Sequence, residues 1–266
     1  MKMPVIGLGT FRLQGPTVVD SVLTGLELGY RHIDTAQIYG NEAEVGVALA
    51  RSGVPRGSVF LTTKVWTANL AAAPLIASLE ASRDALGVES VDLALIHWPS
   101  PGAEVSVAES MEALALAQQQ GLTRAIGVSN FPIPHLREAI DAVGADAIAN
   151  QQIEIHPFLQ NRAVLAFCRE HAIPVTAYMP LAYGKVMQDP VMQAIAARHA
   201  STPAQVALAW LLEQGCAVIP SSTRRANLAA NLSALAVHLD AQDRVAIAAL
   251  ERNERLAAPD FAPVWD

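Results

Sequence analysis

Residues 31–65, RHIDTAQIYGNEAEVGVALARSGVPRGSVFLTTKV, contain a complete strand–helix–strand unit. The short apolar runs from Arg31 to Thr35 and from Val59 to Val65 are bounded by turn residues and read as strands. Between them, Asn41 followed by Glu44 predicts a helix N-cap with its box partner, and Val45 and Leu49 fall on one helical face. A strand, a helix and a second strand in that order imply parallel strands joined by a helical crossover.

The same unit repeats along the chain. Further apolar runs span Pro4 to Thr10, Val91 to His97, Ala125 to Ser129, Ala147 to Ile153, Pro174 to Tyr178 and Ala217 to Ser221, making eight. Ser106 with Glu109 predicts another capped helix, and Thr202, Pro203 and Gln205 combine a cap, a first-turn proline and a box glutamine. Either an open doubly wound sheet or a closed barrel satisfies this alternation. The length of 266 residues is close to the roughly 250 of an eight-stranded (β/α) barrel and leaves little for a second domain. An open dinucleotide-binding sheet needs Gly-x-Gly-x-x-Gly after its first strand, whereas Gly7-Leu8-Gly9 is followed by Thr10, Phe11 and Arg12. The expected fold is therefore α/β, a (β/α)8 TIM barrel forming a single domain over residues 1–266.

In such a barrel, chemistry collects at the C-terminal strand ends. The runs end in or near Asp34, Lys64, His97, Ser129 with Asn130, Gln152 with Glu154, Tyr178, and Ser221 with Ser222, and Tyr39 follows closely on the second. One polar strand end is ordinary turn chemistry; seven facing one mouth suggest a site. A phenol, an ammonium, a carboxylate and an imidazole are the parts needed to give a proton to a carbonyl oxygen. Tyrosine, with an ordinary pKa near 10, needs a neighbour that favours its phenolate, and a buried Lys64 held charged by Asp34 supplies one. His97 would orient the carbonyl and Tyr39 would donate the proton. No side chain donates a hydride, so a nicotinamide cofactor is implied by the reaction.

Gly29-Tyr30-Arg31-His32-Ile33-Asp34-Thr35-Ala36, with Tyr39, Glu42 and Gly46, is similar to the first signature of the aldo-keto reductases, and Ile126-Gly127-Val128-Ser129-Asn130-Phe131 to their second. Thr63-Lys64-Val65-Trp66 and Leu95-Ile96-His97-Trp98-Pro99 resemble that family's catalytic lysine and histidine segments. From end to end the chain most resembles the bacterial branch reducing 2,5-diketo-D-gluconate and methylglyoxal. The resemblance implies Thr10 among the cofactor contacts, Ser129, Asn130 and Gln152 on the carboxamide, and Tyr178 stacked on the ring. The cofactor phosphates are expected where Ser221, Ser222, Thr223, Arg224 and Arg225 run from the last strand into a helix. The third signature is only partly kept. Ser222 and Asn231 match it, but Ser221 stands where the family has a basic residue and Asn227 where it has arginine. Arg224 or Arg225 would then hold a 2′-phosphate, so NADPH is expected, with NADH tolerance. Phe11, Trp66 and Trp98 are expected to wall the pocket. About fifteen residues after Arg252 leave little chain for a deep lid, which favours small or polar carbonyl substrates over steroids.

A net charge of −7 with no basic patch argues against nucleic acid. Without a charged leader or a membrane-length apolar stretch, a cytoplasmic protein with no membrane partner is expected, and the resemblance implies a monomer. Cys168 and Cys216 are expected to be buried thiols. No zinc spacing is present, and the sequence leaves two alternatives to a reductase. One is a metal-dependent hydrolase using His32, Asp34, Lys64 and His97; the other is a non-catalytic module keeping the cofactor site as a redox sensor.

Overall fold

A computed structural model describes residues 2–266. Eight parallel strands lie in chain order, each paired with the next: β1 Leu8–Gly9, β2 His32–Asp34, β3 Phe60–Val65, β4 Leu93–Ile96, β5 Ile126–Ser129, β6 Ile148–Glu154, β7 Val175–Tyr178 and β8 Ala217–Val218. A parallel bridge between Ile6 and Val218 joins last to first, with Gly7 N donating to Val218 O and Val218 N to Val5 O, both at 2.8 Å. The sheet thereby closes on itself as the expected (β/α)8 barrel. Every expected run contains a strand. The first and last shrink to two residues, and the sixth runs on to Glu154.

Eleven helices surround the strands: α1 Pro16–Leu28, α2 Glu42–Arg51, α3 Ala72–Leu86, α4 Val107–Gln119, α5 Ile133–Val143, α6 Arg162–Glu170, α7 Lys185–Gln188, α8 Pro190–Arg198, α9 Pro203–Glu213, α10 Arg225–Leu232 and α11 Ala241–Ala248. The start signals met different fates. Thr202 and Gln205 form the full capping box on α9. Ser106 caps α4 through Glu109 N at 3.1 Å, but the Glu109 carboxylate turns to Ala72 N instead of closing the box. Asn41 precedes α2 as expected yet does not cap it. Its buried amide instead donates to Thr10 O and Leu13 O, at 2.9 and 2.8 Å, and accepts from Thr35 Oγ1. Three well-placed partners from outside the helix outcompete one local cap, and the result fixes the loop after β1 against the loop after β2.

Gly46 is where a missing side chain matters most for helix packing. A Cβ there would lie 2.7 Å from Leu86 O and 2.8 Å from Ala85 O, so α2 reaches the end of α3 only because residue 46 is glycine. Cys168 and Cys216 are both free and buried as expected, and burial pushes both thiols up to about 12, which keeps them unreactive.

His32 lies inside the barrel with Nε2 3.1 Å from Thr62 Oγ1. Burial, opposed in part by the charge of Asp34, lowers its pKa from 6.5 to about 4. Between those values the unfolded chain takes up a proton that the folded chain refuses, so stability falls as pH drops through this window and is unaffected above it. Over the full window the loss is on the order of 3 kcal/mol. We expect urea denaturation at pH 7 and pH 5 to reveal a smaller acid loss in His32→Gln than in the parent. Equal losses would assign the effect to other groups, of which His97 is the first.

Candidate active site

The strands deliver their terminal side chains to one mouth. Asp34 on β2 and Lys64 on β3 meet inside the barrel, Nζ 2.5 Å from Oδ1, with both side chains only 1% exposed. Gln152 on β6 donates to the other oxygen, Oδ2, at 2.8 Å. Lys64 Nζ also donates to Thr35 O at 2.9 Å and to Tyr39 Oη at 3.4 Å. Three acceptors match the three N–H bonds of an ammonium. Burial pulls the Lys64 pKa down and Asp34 opposes it, so the ion pair is what keeps the charge in place.

Tyr39 sits on a single 3-10 turn, Gln37–Tyr39, directly after β2. Its ring lies 5.1 Å from Phe11 and 5.7 Å from His97, edge-on to the latter. Here the structure departs from the expectation of a lowered phenol pKa: burial first, then the negative charge of Asp34, raises it well above 10. The phenol is therefore protonated at neutral pH. Burial and the nearby Lys64 ammonium hold His97 well below its ordinary value, so its imidazole is neutral. Its Nδ1 is buried without a partner while the ring lines the cavity. That leaves Nε2 as the nitrogen turned to a ligand.

These groups open into a cavity of about 810 Å³ that runs from Trp66 and Trp98 at one end to Ser221, Ser222 and Asn231 at the other. Phe11, Asn130, Gln152 and Tyr178 also line it. The Tyr178 hydroxyl donates to Asn130 Oδ1 at 2.7 Å, which leaves the ring face to the cavity. Asn130 adopts a left-handed φ of 61°, a conformation asparagine tolerates better than most residues, and its Nδ2 donates to His97 O at 3.0 Å. Other expected contacts stand away from the wall. Thr10 is fully buried with Oγ1 donating to Asp34 O. Ser129 accepts from Asn130 Nδ2. Thr223 is exposed in the turn before α10, Arg224 is exposed at its start, and Arg225 pairs with Glu27 on α1.

The tail after Arg252 is short and still reaches the site: Ala257 lines the cavity, and the aromatic residues beyond it pack on Trp66 and Trp98. Leu256 N and Ala257 N donate to Glu154 Oε1 and Oε2 at 2.7 and 2.8 Å, and His156 Nε2 lies 2.9 Å from Oε1. Phe261 then sits 5.8 Å from Trp66 and 5.8 Å from Trp98, with Trp265 6.0 Å from Trp98. Length limits how deep a lid is, not how far it reaches: an extended chain advances about 3.3 Å per residue, ample to cross a barrel mouth. Glu154 and His156, two apart at the end of β6, were the available signal.

A model of the aldo/keto reductase family matches residues 5–252. The chain belongs to the aldo/keto reductase family. It is 58% identical to the methylglyoxal reductase DkgB of Salmonella typhimurium over 100% of both chains. It is 38% identical to the 9,11-endoperoxide prostaglandin H2 reductase of Trypanosoma cruzi, covering 98% of this chain and 92% of that one. Among solved structures, a putative 2,5-diketo-D-gluconic acid reductase B superposes with a TM-score of 0.95 at 42% identity, over 99% of this chain and 94% of that one. Aldo-keto reductases are oxidoreductases that act on carbonyl groups with a nicotinamide cofactor. The cavity suits such a cofactor: it is lined by an aromatic face at Tyr178 and amides at Asn130 and Gln152 together with Tyr39 and His97, and by hydroxyls and amides at Ser221, Ser222, Asn227 and Asn231. The hydrolase reading fails on its proposed ligands. His32 is bonded to Thr62, Asp34 is taken by Lys64 and Gln152, and among the described residues no three His, Cys, Asp or Glu converge on a metal position.

Proposed function

We propose that this aldo-keto reductase uses NADPH to reduce small 2-oxoaldehydes such as methylglyoxal and keto sugar acids such as 2,5-diketo-D-gluconate, with Tyr39 as the proton donor. The observation that carries the reading is the single ammonium of Lys64 bonded to both Asp34 and Tyr39, with His97 beside the phenol on the cavity wall. Because Lys64 donates toward Tyr39 Oη, the phenolic hydrogen is free to point into the cavity. A nicotinamide bound in this cavity would supply the hydride for the carbonyl carbon. The neutral His97 donates Nε2–H to the carbonyl oxygen and orients it. As that oxygen gains alkoxide character it becomes far more basic than a phenolate and takes the proton even from a phenol whose own pKa is raised. Lys64 then stabilises the phenolate left behind. The names of the DkgB relatives and of the superposed reductase support the substrate class. So does the aromatic wall of Trp66 and Trp98, with Phe261 packed on both.

The test is loss of reduced-nicotinamide absorbance with methylglyoxal, and NADPH or NADH in parallel, with a chelator control. Chelator-insensitive turnover is expected; silence with both cofactors across several aldehydes would favour a non-catalytic module. The preference for NADPH rests on Arg224, which makes no ion pair among the described residues, whereas Arg225 is engaged by Glu27. We expect Arg224→Ala to raise KM for NADPH about tenfold, the loss of one charge-assisted hydrogen bond, and to leave KM for NADH unchanged. Parallel changes with both cofactors would remove the 2′-phosphate contact. A monomer in the cytoplasm belongs to the same proposal; two unpaired buried thiols support the reducing compartment.

A further inference from the structure

We propose that Gln37 is a positioning residue that holds the aromatic wall of the carbonyl-binding pocket in place, an inference that rests on the function proposed above. Gln37 opens the 3-10 turn that ends in Tyr39, and its side-chain amide reaches across to the loop after β3 and to α3. Oε1 accepts from Trp66 N at 3.0 Å and from Asn69 Nδ2 at 3.3 Å. Nε2 donates to Ser78 Oγ at 3.0 Å and to Ser82 Oγ at 3.2 Å. Both acceptor sites and both donors of the amide are therefore used. Its orientation is not interchangeable: Trp66 N is only a donor, so Oε1 must face it. The serine hydrogens are already committed, Ser78 to Leu75 O and Ser82 to Glu42 Oε2, so the serines present acceptors to Nε2.

What this amide holds is the wall of the site. Trp66 packs edge-on against His97, ring centroids 5.3 Å apart, and also touches Phe261 of the tail. Tyr39, two residues after Gln37, approaches the other side of His97. One side chain thus ties the turn carrying the phenol to the indole that buttresses the imidazole. Gln14 completes the clamp from the loop after β1, its Nε2 donating to Tyr39 O at 2.7 Å. Gln37 touches no cavity-lining atom of the far, phosphate-side end, so its influence belongs to the carbonyl and not to the cofactor.

The test compares Gln37→Met, which keeps the length and removes all four hydrogen bonds, with Gln37→Glu, which keeps an acceptor for Trp66 N but meets two serine oxygens that have no hydrogen to give. With methylglyoxal as probe, Gln37→Met is expected to raise KM about tenfold, as for loss of a buried hydrogen-bond set, with kcat within about threefold and the cofactor Kd, read by fluorescence titration, unchanged. Gln37→Glu is expected to fall between Gln37→Met and the parent. Unchanged KM in both variants, whether or not their Tm drops, would overturn the proposal and leave Gln37 a purely structural residue. A KM rise matched by an equal rise in cofactor Kd would overturn it as well. An inactive parent protein with intact cofactor binding would instead sink the proposed function, so the two failures are distinguishable.

Discussion

Tyr39→Phe is expected to lower kcat for carbonyl reduction by about 10²–10⁴-fold, the range for a lost general acid, with the cofactor bound as tightly as before. The substitution deletes one oxygen. The ring keeps its contacts with Phe11 and His97, and Lys64 keeps Asp34 and Thr35 O as acceptors, so neither packing nor the ion pair accounts for the loss. Single-turnover reduction and cofactor fluorescence titration measure the two quantities separately. Because burial raises the Tyr39 pKa, the parent should show no loss of the acid form around neutrality. A variant within threefold of the parent would mean that the proton comes from another group, and His97, neutral and on the same wall, would be the one to replace next.

Lys64→Met is expected to damage both rate and stability, and a second substitution separates them. Removing the ammonium leaves the Asp34 carboxylate buried with Gln152 as its remaining side-chain donor, a situation that costs about 3–5 kcal/mol. The rate falls at the same time, by about 10²-fold or more, because nothing then steadies the phenolate. Adding Asp34→Leu removes the orphaned charge. A buried ion pair replaced by apolar groups is often nearly neutral, so the double variant should regain most of the stability in urea and none of the activity. Recovery of activity along with stability would show that Lys64 serves only to neutralise the buried Asp34 carboxylate.

The barrel was legible in the sequence because strand ends and helix starts announce themselves locally: Asp34, Lys64 and His97 each close an apolar run, and Thr202 with Gln205 forms the box its spacing promised. The ordered signatures carried the family. What stayed hidden depends on partners distant in the chain. Asn41 has the spacing of a cap but meets acceptors at residues 10 and 13, which no local rule weighs. The direction of the Tyr39 shift turned on how deeply the phenol is buried, a tertiary quantity. Arg224 and Arg225 are indistinguishable as letters, and only the position of Glu27 separates them. The course of the tail depends on the Glu154 carboxylate at the end of β6, 102 and 103 residues away from the amides it accepts from. Gln37 gave no signal at all, since its four partners lie between 29 and 45 residues away.

The attachment of that tail is made through main-chain nitrogens. Glu154 grips the amides of Leu256 and Ala257, a pair of bonds that depends on the main chain and that proline at either position would break. Beyond that attachment the chain meets the two tryptophans through Phe261 and Trp265, while the charged pair at the centre of the barrel is bonded only to residues of the strand ends and their loops. The wall that meets a substrate and the groups that handle the proton are thereby carried by separate parts of the chain.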